Sequence, residues 1–592
     1  MNYILRSVIF CLFFLSCSQN QNSCIKCHKN IKFPDKNHVS CIQCHGGNPL
    51  AYDNSTAHIG LIKKGPSIIC FKKLCGKCHL WEYLRINSSQ MATNLGMINR
   101  IQKIWEGDSK NVYSVIKQEQ FDSKGRKINI KWIGELDNLG AELYRKFCAS
   151  CHLGYPVYAN KFNTGCFICH MEYSKKNGYV HRLTATPSTD VCLLCHMRSG
   201  RIGLSYTGLY EANNMVPTST HGPKYQLRGG RSLLHIYGDV HYKGGMDCID
   251  CHTSRDVMGD GYLYSNKEDQ VEISCTDCHG DGDSYPRVKE IERESYVFVE
   301  AKNYRKNDYL HIGTKLVLTK KGRMYSNVYM DKGKVYVIGK RSGKKFECPI
   351  ITKTKEHTIY GHKRLKCYVC HTRVTPQCFG CHTYYFKNIC AYDKIKQKYT
   401  HGRFLEKEDF REPNYFILGV DKNNKITTLT PGCETYVYVK NKDKWIKSGY
   451  VSKYKGKRQF RFAPIFSHNT SKKTLDCIEC HANPYILGFG KGNFTLNGQF
   501  KNIYMCAKDL SLDGLLCILK NGKIIALGAV IGQGARPFTS KEIKGILKVN
   551  QCLVCHNNQY EIFKDPIDYS RINTCINLYK QKFAGKDTSK TR

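Results

Sequence analysis

Acidic residues are scarce in this chain. Its 592 residues include 49 Asp and Glu against 91 Lys and Arg, which leaves a formal net charge of +42. Such an excess is typical of proteins that bind nucleic acid. Here the basic residues are spread along the whole chain, and no nucleic-acid-binding motif accompanies them. We therefore predict no nucleic-acid partner.

Long apolar runs are also scarce, so the sequence predicts no transmembrane helix. The run Val8–Leu15 is too short to span a bilayer and predicts a signal peptide over residues 1–16. The segment Phe14–Cys17 resembles a bacterial lipoprotein cleavage site, so we predict lipidation of Cys17 and a lipid anchor to the membrane. We expect an exported protein at the outer membrane or cell surface; a plain signal peptide would instead give a periplasmic protein.

Cysteine, by contrast, is abundant: the chain has 33, and they include both cysteines of every copy of a Cys-x-x-Cys-His motif that occurs twelve times. The motif is the attachment signature of a c-type haem, in which two thiols form thioethers to the porphyrin and the adjacent His binds iron. Zinc ribbons also pair Cys-x-x-Cys units, but they do not need that His. The sequence therefore predicts twelve haem c groups.

The motifs are numbered first to twelfth along the chain. Their cysteines are Cys24 and Cys27, Cys41 and Cys44, Cys75 and Cys78, Cys148 and Cys151, Cys166 and Cys169, Cys192 and Cys195, Cys248 and Cys251, Cys275 and Cys278, Cys367 and Cys370, Cys378 and Cys381, Cys477 and Cys480, and Cys552 and Cys555. The predicted proximal iron ligands are His28, His45, His79, His152, His170, His196, His252, His279, His371, His382, His481 and His556.

The histidines outside the motifs almost match the motifs in number, since 23 His in total leave eleven for twelve irons. Low-spin haems usually carry a second axial ligand, often His. The candidate distal ligands are His38, His58, His181, His221, His235, His241, His311, His357, His362, His401 and His468. The alternative is that some are surface or core histidines, and pairing cannot be assigned from sequence.

At least one iron then lacks a distal His and takes Met, another ligand or an open position. Met91 is the methionine to test first, because it lies on a predicted helix just after the third motif. The alternative for Met91 is an ordinary place on the apolar face of that helix.

The motif spacing predicts a multihaem cytochrome c fold, with a haem-packed core and little regular secondary structure. We expect some helices in the N-terminal half and small β-rich segments in the C-terminal half. The predicted segments are the signal peptide 1–16, a three-haem segment 17–79, a helical insert 80–147, a five-haem segment 148–284, a β-rich segment 285–366, a two-haem segment 367–382, a second β-rich segment 383–476, and a two-haem and β-hairpin segment 477–592.

Apolar spacings of three and four predict helices over Met91–Trp105 and Ile133–Phe147. Runs rich in β-branched and aromatic residues predict strands. These runs are Tyr296–Val299, Lys315–Leu318, Lys334–Ile338, Tyr415–Leu418, Thr435–Val439, and a hairpin of Leu515–Leu519 and Ile524–Leu527 around Asn521-Gly522. Outside the motifs, signal and lipid site lie Cys70, Cys348, Cys390, Cys433, Cys506, Cys517 and Cys575. Export allows some of them to pair, and Cys506 with Cys517 would close a short loop.

Several stretches resemble multihaem outer-surface cytochromes of metal-reducing and syntrophic bacteria. They include Asp239–Gly261, His196–Tyr206, Ser89–Thr93, Leu418–Cys433 and Ala535–Thr539. Twelve haems with a lipoprotein signal are also similar to the outer-face cytochrome of porin–cytochrome conduits. The resemblance implies electron transfer with other multihaem cytochromes, an outer-membrane β-barrel, and an extracellular electron acceptor, donor or mineral as partners. It also favours His241 as a distal ligand.

Two other functions remain open at this point. A multihaem oxidoreductase of a small nitrogen or sulfur oxyanion would keep one iron open, although no Cys-x-x-Cys-Lys variant motif is present. A subunit of an extracellular cytochrome filament would not need a lipid anchor. An electron-transfer protein without catalytic residues is the leading hypothesis, because nearly every iron can be capped.

Overall fold

The computed structural model describes most of the chain, and the predicted signal peptide and Cys17 lie outside the described residues. Those described are 23–32, 38, 40–61, 75–106, 111–116, 120–151, 165–174, 178–197, 202–212, 225–226, 232–351, 354–375, 381–408, 416–431, 435–441, 444–448, 453–454, 457–458, 462–489, 493–494, 500–501, 517–520, 523–526, 535–557, 559–571, 574 and 577.

The predicted helix over Met91–Trp105 forms as two helices, Gln90–Thr93 and Leu95–Glu106. Asn94 separates them because its backbone is left-handed, with φ of 51°. The Ser89 hydroxyl caps the first helix by accepting from the Ala92 N–H.

The predicted helix over Ile133–Phe147 forms as a 3-10 turn, Ile133–Glu135, followed by the helix Leu139–Lys146. Asn138 caps that helix by accepting from the Ala141 N–H at 2.7 Å. Ile133 and the fully buried Tyr144 pack with Ile98 and form one core of the N-terminal half. This core supports the fourth motif, which follows the helix directly.

The remaining helices are short, and many of them coincide with haem-attachment motifs. The α-helices are Ser23–Cys27, Cys41–His45, Asn54–Ala57, Leu80–Ser88, Phe167–His170, Thr189–His196, Ile202–Tyr206, Val240–Gly244, Cys248–Cys251, Ser254–Met258, Lys267–Gln270, Cys275–His279, Tyr296–Ala301, Cys367–His371, Cys477–His481, Ser540–Lys548 and Asn550–His556. The 3-10 turns are Cys75–Lys77, Cys148–Cys151, His362–Arg364, Tyr560–Phe563 and Tyr569–Arg571.

An antiparallel five-stranded sheet follows the eighth motif. Its strands in spatial order are Val288–Glu290, Lys315–Leu318, Met324–Asp331, Lys334–Ile338 and Lys345–Cys348. The predicted strands Lys315–Leu318 and Lys334–Ile338 are confirmed, with Gly322 and Gly333 at left-handed turn positions.

The strand predicted at Tyr296–Val299 is wrong, because these residues begin the helix Tyr296–Ala301. Val297 and Ala301, four positions apart, are both buried, and Val297 packs on Leu316 of the sheet. The Tyr296 hydroxyl donates to the Met324 carbonyl at 2.8 Å. Tertiary packing therefore overrides the β propensity of this run.

Two further sheets occupy the C-terminal half. A four-stranded sheet has the order Lys398–Glu408, Cys381–Asp393, Thr435–Asn441 and Lys444–Ser448, and a three-stranded sheet has Ile417–Val420, Ile426–Pro431 and Phe462–Pro464. The strand predicted at Thr435–Val439 is confirmed, and the one predicted from Tyr415 lies at Ile417–Val420.

Smaller sheets complete the fold. They are Val112–Ser114 with Ile130–Trp132, Gln120–Phe121 with Lys127–Ile128, Met171–Ser174 with Gly178–Leu183, Leu209–Ala212 with Ser232–His235 and Tyr225–Gln226, Lys453–Tyr454 with Lys457–Arg458, Asn493–Phe494 with Phe500–Lys501, and Cys517–Lys520 with Lys523–Ala526. The last pair confirms the predicted hairpin, although its Asn521-Gly522 turn lies outside the described residues.

Among the described residues, no helix has the length and apolar character needed to cross a membrane. Cys348 and Cys390 are free thiols. Four other cysteines lie outside the described residues: Cys70, Cys433, Cys506 and Cys575. The Cys506–Cys517 pair therefore stays a prediction.

Candidate haem-attachment sites

Most motifs form a single helical turn. A helical turn places residues i, i+3 and i+4 on one face, so both thiols and the His project together. In the seventh, eighth and eleventh motifs an acidic residue inside the motif closes a capping box with the residue before the helix. In the seventh, for example, Asp250 accepts from the Asp247 N–H at 2.8 Å. The local sequence therefore stabilises the helical turn that presents the ligands.

The tenth motif differs from the others. Cys378 lies outside the described residues, and Cys381 with His382 begins the long strand Cys381–Asp393. Haem attachment at this motif stays a prediction from sequence alone.

Seven histidine pairs stand out within the described part of the chain. In each pair a motif His faces a His from outside the motifs, and the two ring centres lie between 6.0 and 6.5 Å apart. The pairs are His28 with His58, His79 with His38, His45 with His181, His279 with His241, His252 with His468, His371 with His357, and His481 with His362. None of these seven pairs joins two motif histidines, and none joins two histidines from outside the motifs.

The spacing fits one metal ion held between two imidazoles. Metal–imidazole bonds are about 2.0 Å long, so each ring centre would lie about 3 Å from the metal and the two centres about 6 Å apart. Within the described residues, no three His, Cys, Asp or Glu side chains converge, as a closed zinc site would require. The donor set therefore fits a haem iron with two axial histidines.

Hydrogen bonds hold these rings through Nδ1 and so leave Nε2 for the metal. His279 Nδ1 donates to the Pro349 carbonyl at 2.7 Å, His371 Nδ1 to the Ser471 carbonyl at 3.1 Å, and His481 Nδ1 to the Ile546 carbonyl at 2.9 Å. On the distal side, His468 Nδ1 donates to the Phe466 carbonyl at 2.9 Å. Each bond fixes both the tautomer and the orientation of the ring.

Two rings are bound by carboxylates instead of carbonyls. His241 Nδ1 lies 2.8 Å from Asp239 Oδ1, and His252 Nδ1 lies 3.1 Å from Asp256 Oδ2. Burial favours a neutral Asp239, but hydrogen bonds from His241 and the Thr470 backbone outweigh it and lower the pKa of Asp239. These two carboxylates are absent from the sequence-based predictions, although Asp239 lies two positions before one predicted ligand and Asp256 four positions after another.

Burial also keeps several of the paired imidazoles neutral, the form that binds metal. Burial, with a smaller effect of His481, lowers the pKa of His362 to about 4. Burial and the neighbouring His252 lower the pKa of His468 to about 4.

The other candidate histidines are not all brought to a site. His152 and His221 lie outside the described residues. His235 ends the strand Ser232–His235, while His311 and His401 are exposed. Of the motif histidines, His170 and His556 face no imidazole among the described residues. His170 Nδ1 donates to the Thr184 carbonyl, and His556 Nδ1 donates to the Gln559 side-chain oxygen.

The motifs follow one another through the molecule. Cysteines of successive motifs lie near enough to each other to interact electrostatically. These interactions link Cys24 with Cys41, Cys44 with Cys75, Cys75 with Cys166, Cys169 with Cys192, Cys192 with Cys248, Cys251 with Cys275, Cys275 with Cys367, and Cys370 with Cys477. Nine motifs therefore form a series in nearly their order along the chain.

One cavity of about 4520 Å³ connects the middle of this series. Its lining includes cysteines or histidines of the second to ninth and eleventh motifs. Typical pockets for a single small ligand are about 300–1,000 Å³, so this space could enclose several large cofactors.

Comparison with known proteins adds nothing to this geometry: no protein-family model, no curated protein and no solved structure matches the chain.

Proposed function

We propose that this chain is an electron-transfer protein that carries about twelve covalently bound c-type haems. The observation that carries the proposal is the set of seven facing histidine pairs, each made of one motif His and one other His. Histidines with an ordinary place in the core or on the surface would not pair a motif His with a His from outside the motifs seven times. When bound, haem iron supplies reversible one-electron transfer.

The protein residues would hold each cofactor in a fixed place. The paired thiols of a motif would anchor the porphyrin edge, and the helical turn would present its His to the iron. The facing His from outside the motif would supply a second protein ligand and so exclude exchangeable ones. The Nδ1 hydrogen bonds described above would keep their rings in place.

The series of motifs supports transfer along a line. The first motif of the series lies near the N-terminus. The eleventh motif is the last one that these electrostatic interactions link. The twelfth motif adjoins the eleventh, since the Asn550 side chain donates to the His481 carbonyl at 2.8 Å. If Cys17 is lipidated, the first haem would lie close to the membrane and the last ones farther from it. We propose transfer between periplasmic or outer-membrane partners and an extracellular acceptor or donor.

The proposal is tested first by the haem count of the purified holoprotein and by EPR of its fully oxidised form. About twelve haems per chain, nearly all low-spin, are expected. A protein with no covalent haem, or with several high-spin irons, would refute the proposal.

A ligand variant sharpens the test. His468→Ala should convert one low-spin haem to high-spin, because His468 faces His252 across 6.1 Å. His311→Ala is the matched control, since His311 is exposed and its Nδ1 bonds the Ile312 carbonyl. Equal spectra for the two variants would argue against the assigned pair.

A further inference from the structure

The fifth motif has the features of a haem site but lacks a facing histidine. His170 lines the cavity, and its Nδ1 donates to the Thr184 carbonyl at 2.9 Å, as in the paired motifs. The cysteines of this motif lie near enough to Cys75 of the third motif and Cys192 of the sixth to interact with them electrostatically. His170 therefore belongs to the series, yet no imidazole of the described residues stands opposite it.

Two methionines lie beside this motif. Met91 and Met258 pack in one cluster with Ile168 and Cys169 of the fifth motif. Both also line the cavity that His170 lines. A thioether is a haem ligand, and the flexible Met side chain adapts to irregular space.

Close contacts between two segments hold these methionines side by side. Arg85 Nε donates to the Gly259 carbonyl at 2.8 Å, directly after Met258. Gly259 has φ of +79°, and a Cβ there would lie 2.8 Å from the Arg85 carbonyl oxygen, so only glycine permits the approach. The Arg85 segment leads into the helix Gln90–Thr93, which carries Met91.

We propose that a thioether from the pair Met91 and Met258 is the sixth ligand of the haem at the fifth motif. The inference rests on the proposed function, because it needs a haem at that motif. It would supply one of the ligands that eleven other histidines cannot supply to twelve motif histidines. Methionine ligation raises the reduction potential of a haem. The fifth site would then hold an electron more strongly than its neighbours with two axial histidines.

The test is near-infrared magnetic circular dichroism of the fully oxidised holoprotein, made after the haem count. Low-spin haems with His and Met ligands have a charge-transfer band distinct from that of haems with two His. One haem equivalent of the His–Met type is expected. Met91→Leu and Met258→Leu are then compared, because Leu keeps the volume but cannot bind iron.

One of these two variants should lose the His–Met band and gain one high-spin haem in EPR. Met246→Leu is the matched control: Met246 lines the same cavity but packs on Cys251 and Cys278, whose motifs have facing histidines. This control should keep the band.

A band that is absent from the unaltered protein, or that survives in both variants, overturns the inference. A high-spin haem in the unaltered protein with no His–Met band also overturns it. If either outcome occurs in a protein with about twelve haems per chain, this inference fails but the proposed function still stands. A chain without covalent haem overturns the proposed function and this inference together.

Discussion

If the chain carries the proposed haems, the carboxylate that binds His241 should tune the reduction potential of one of them. Asp239 is buried, 2% exposed, and its Oδ1 lies 2.8 Å from His241 Nδ1. A negative charge there strengthens the basicity of the ligand and stabilises ferric iron relative to ferrous iron. Asp239→Asn removes the charge while keeping the size of the side chain. The reduction potential of the haem between His241 and His279 should therefore rise.

The size of the rise follows from the distance. A unit charge about 7 Å from the centre of the ring pair, in an effective dielectric of about 20, contributes about 2.4 kcal/mol. For one electron this corresponds to about 100 mV, since 59 mV is a tenfold change in the equilibrium constant. Solvent screening and the remaining amide dipole reduce the effect, so we expect a rise of about 50–100 mV.

The assay is a spectroelectrochemical titration of the holoprotein, analysed as the difference between variant and unaltered protein. One haem equivalent should move to higher potential. Asp308→Asn is the control for net charge, because Asp308 is 71% exposed and pairs only with Lys306 among the described ion pairs. An Asp239→Asn curve that superimposes on the control curve, or shifts downward, would refute the reasoning.

Three further predictions concern a second carboxylate bound to a histidine, a buried ion pair and a helix cap. Asp256→Asn should raise the potential of the haem between His252 and His468 in the same titration, by less than Asp239→Asn because the 3.1 Å contact is longer. Arg145→Met should cost about 3–5 kcal/mol in urea unfolding, because it leaves Asp393 buried without its 2.8 Å ion-pair partner; an unchanged midpoint would contradict this. Glu542→Gln should destabilise the helix Ser540–Lys548 by about 1–2 kcal/mol at pH 6, measured by hydrogen exchange. Burial favours a neutral Glu542, but hydrogen bonds from Arg536, Thr539 and Arg364 outweigh it and lower the pKa of Glu542 to about 2. This stabilisation is therefore present above pH 5 and lost as pH falls toward 2, so the variant and the unaltered protein should converge near pH 2.

Secondary structure was predictable where local sequence and packing agree. The strand Lys334–Ile338 and the hairpin strands Cys517–Lys520 and Lys523–Ala526 formed as expected. The run Tyr296–Val299 became a helix because a short apolar run carries too little periodicity to distinguish the two states. The helix over Met91–Trp105 was interrupted at Asn94, whose side chain donates to the Met91 carbonyl at 3.0 Å.

The predicted attachment motif is local, and the sequence alone determines where it occurs. A Cys-x-x-Cys-His motif brings its three reactive side chains together within one helical turn, so their number and positions can be read directly. The count of eleven other histidines also predicts that at least one iron lacks a second His.

Only the tertiary structure decided which histidines face each other. His252 meets His468 from a distant segment, whereas His371 meets His357 from the preceding loop, and no spacing rule covers both. The same holds for the neighbours of the fifth motif, where Met91 and Met258 meet because Arg85 binds the Gly259 carbonyl. Such partners are set by the packing of remote segments around a shared space, and that packing is a property of the whole fold.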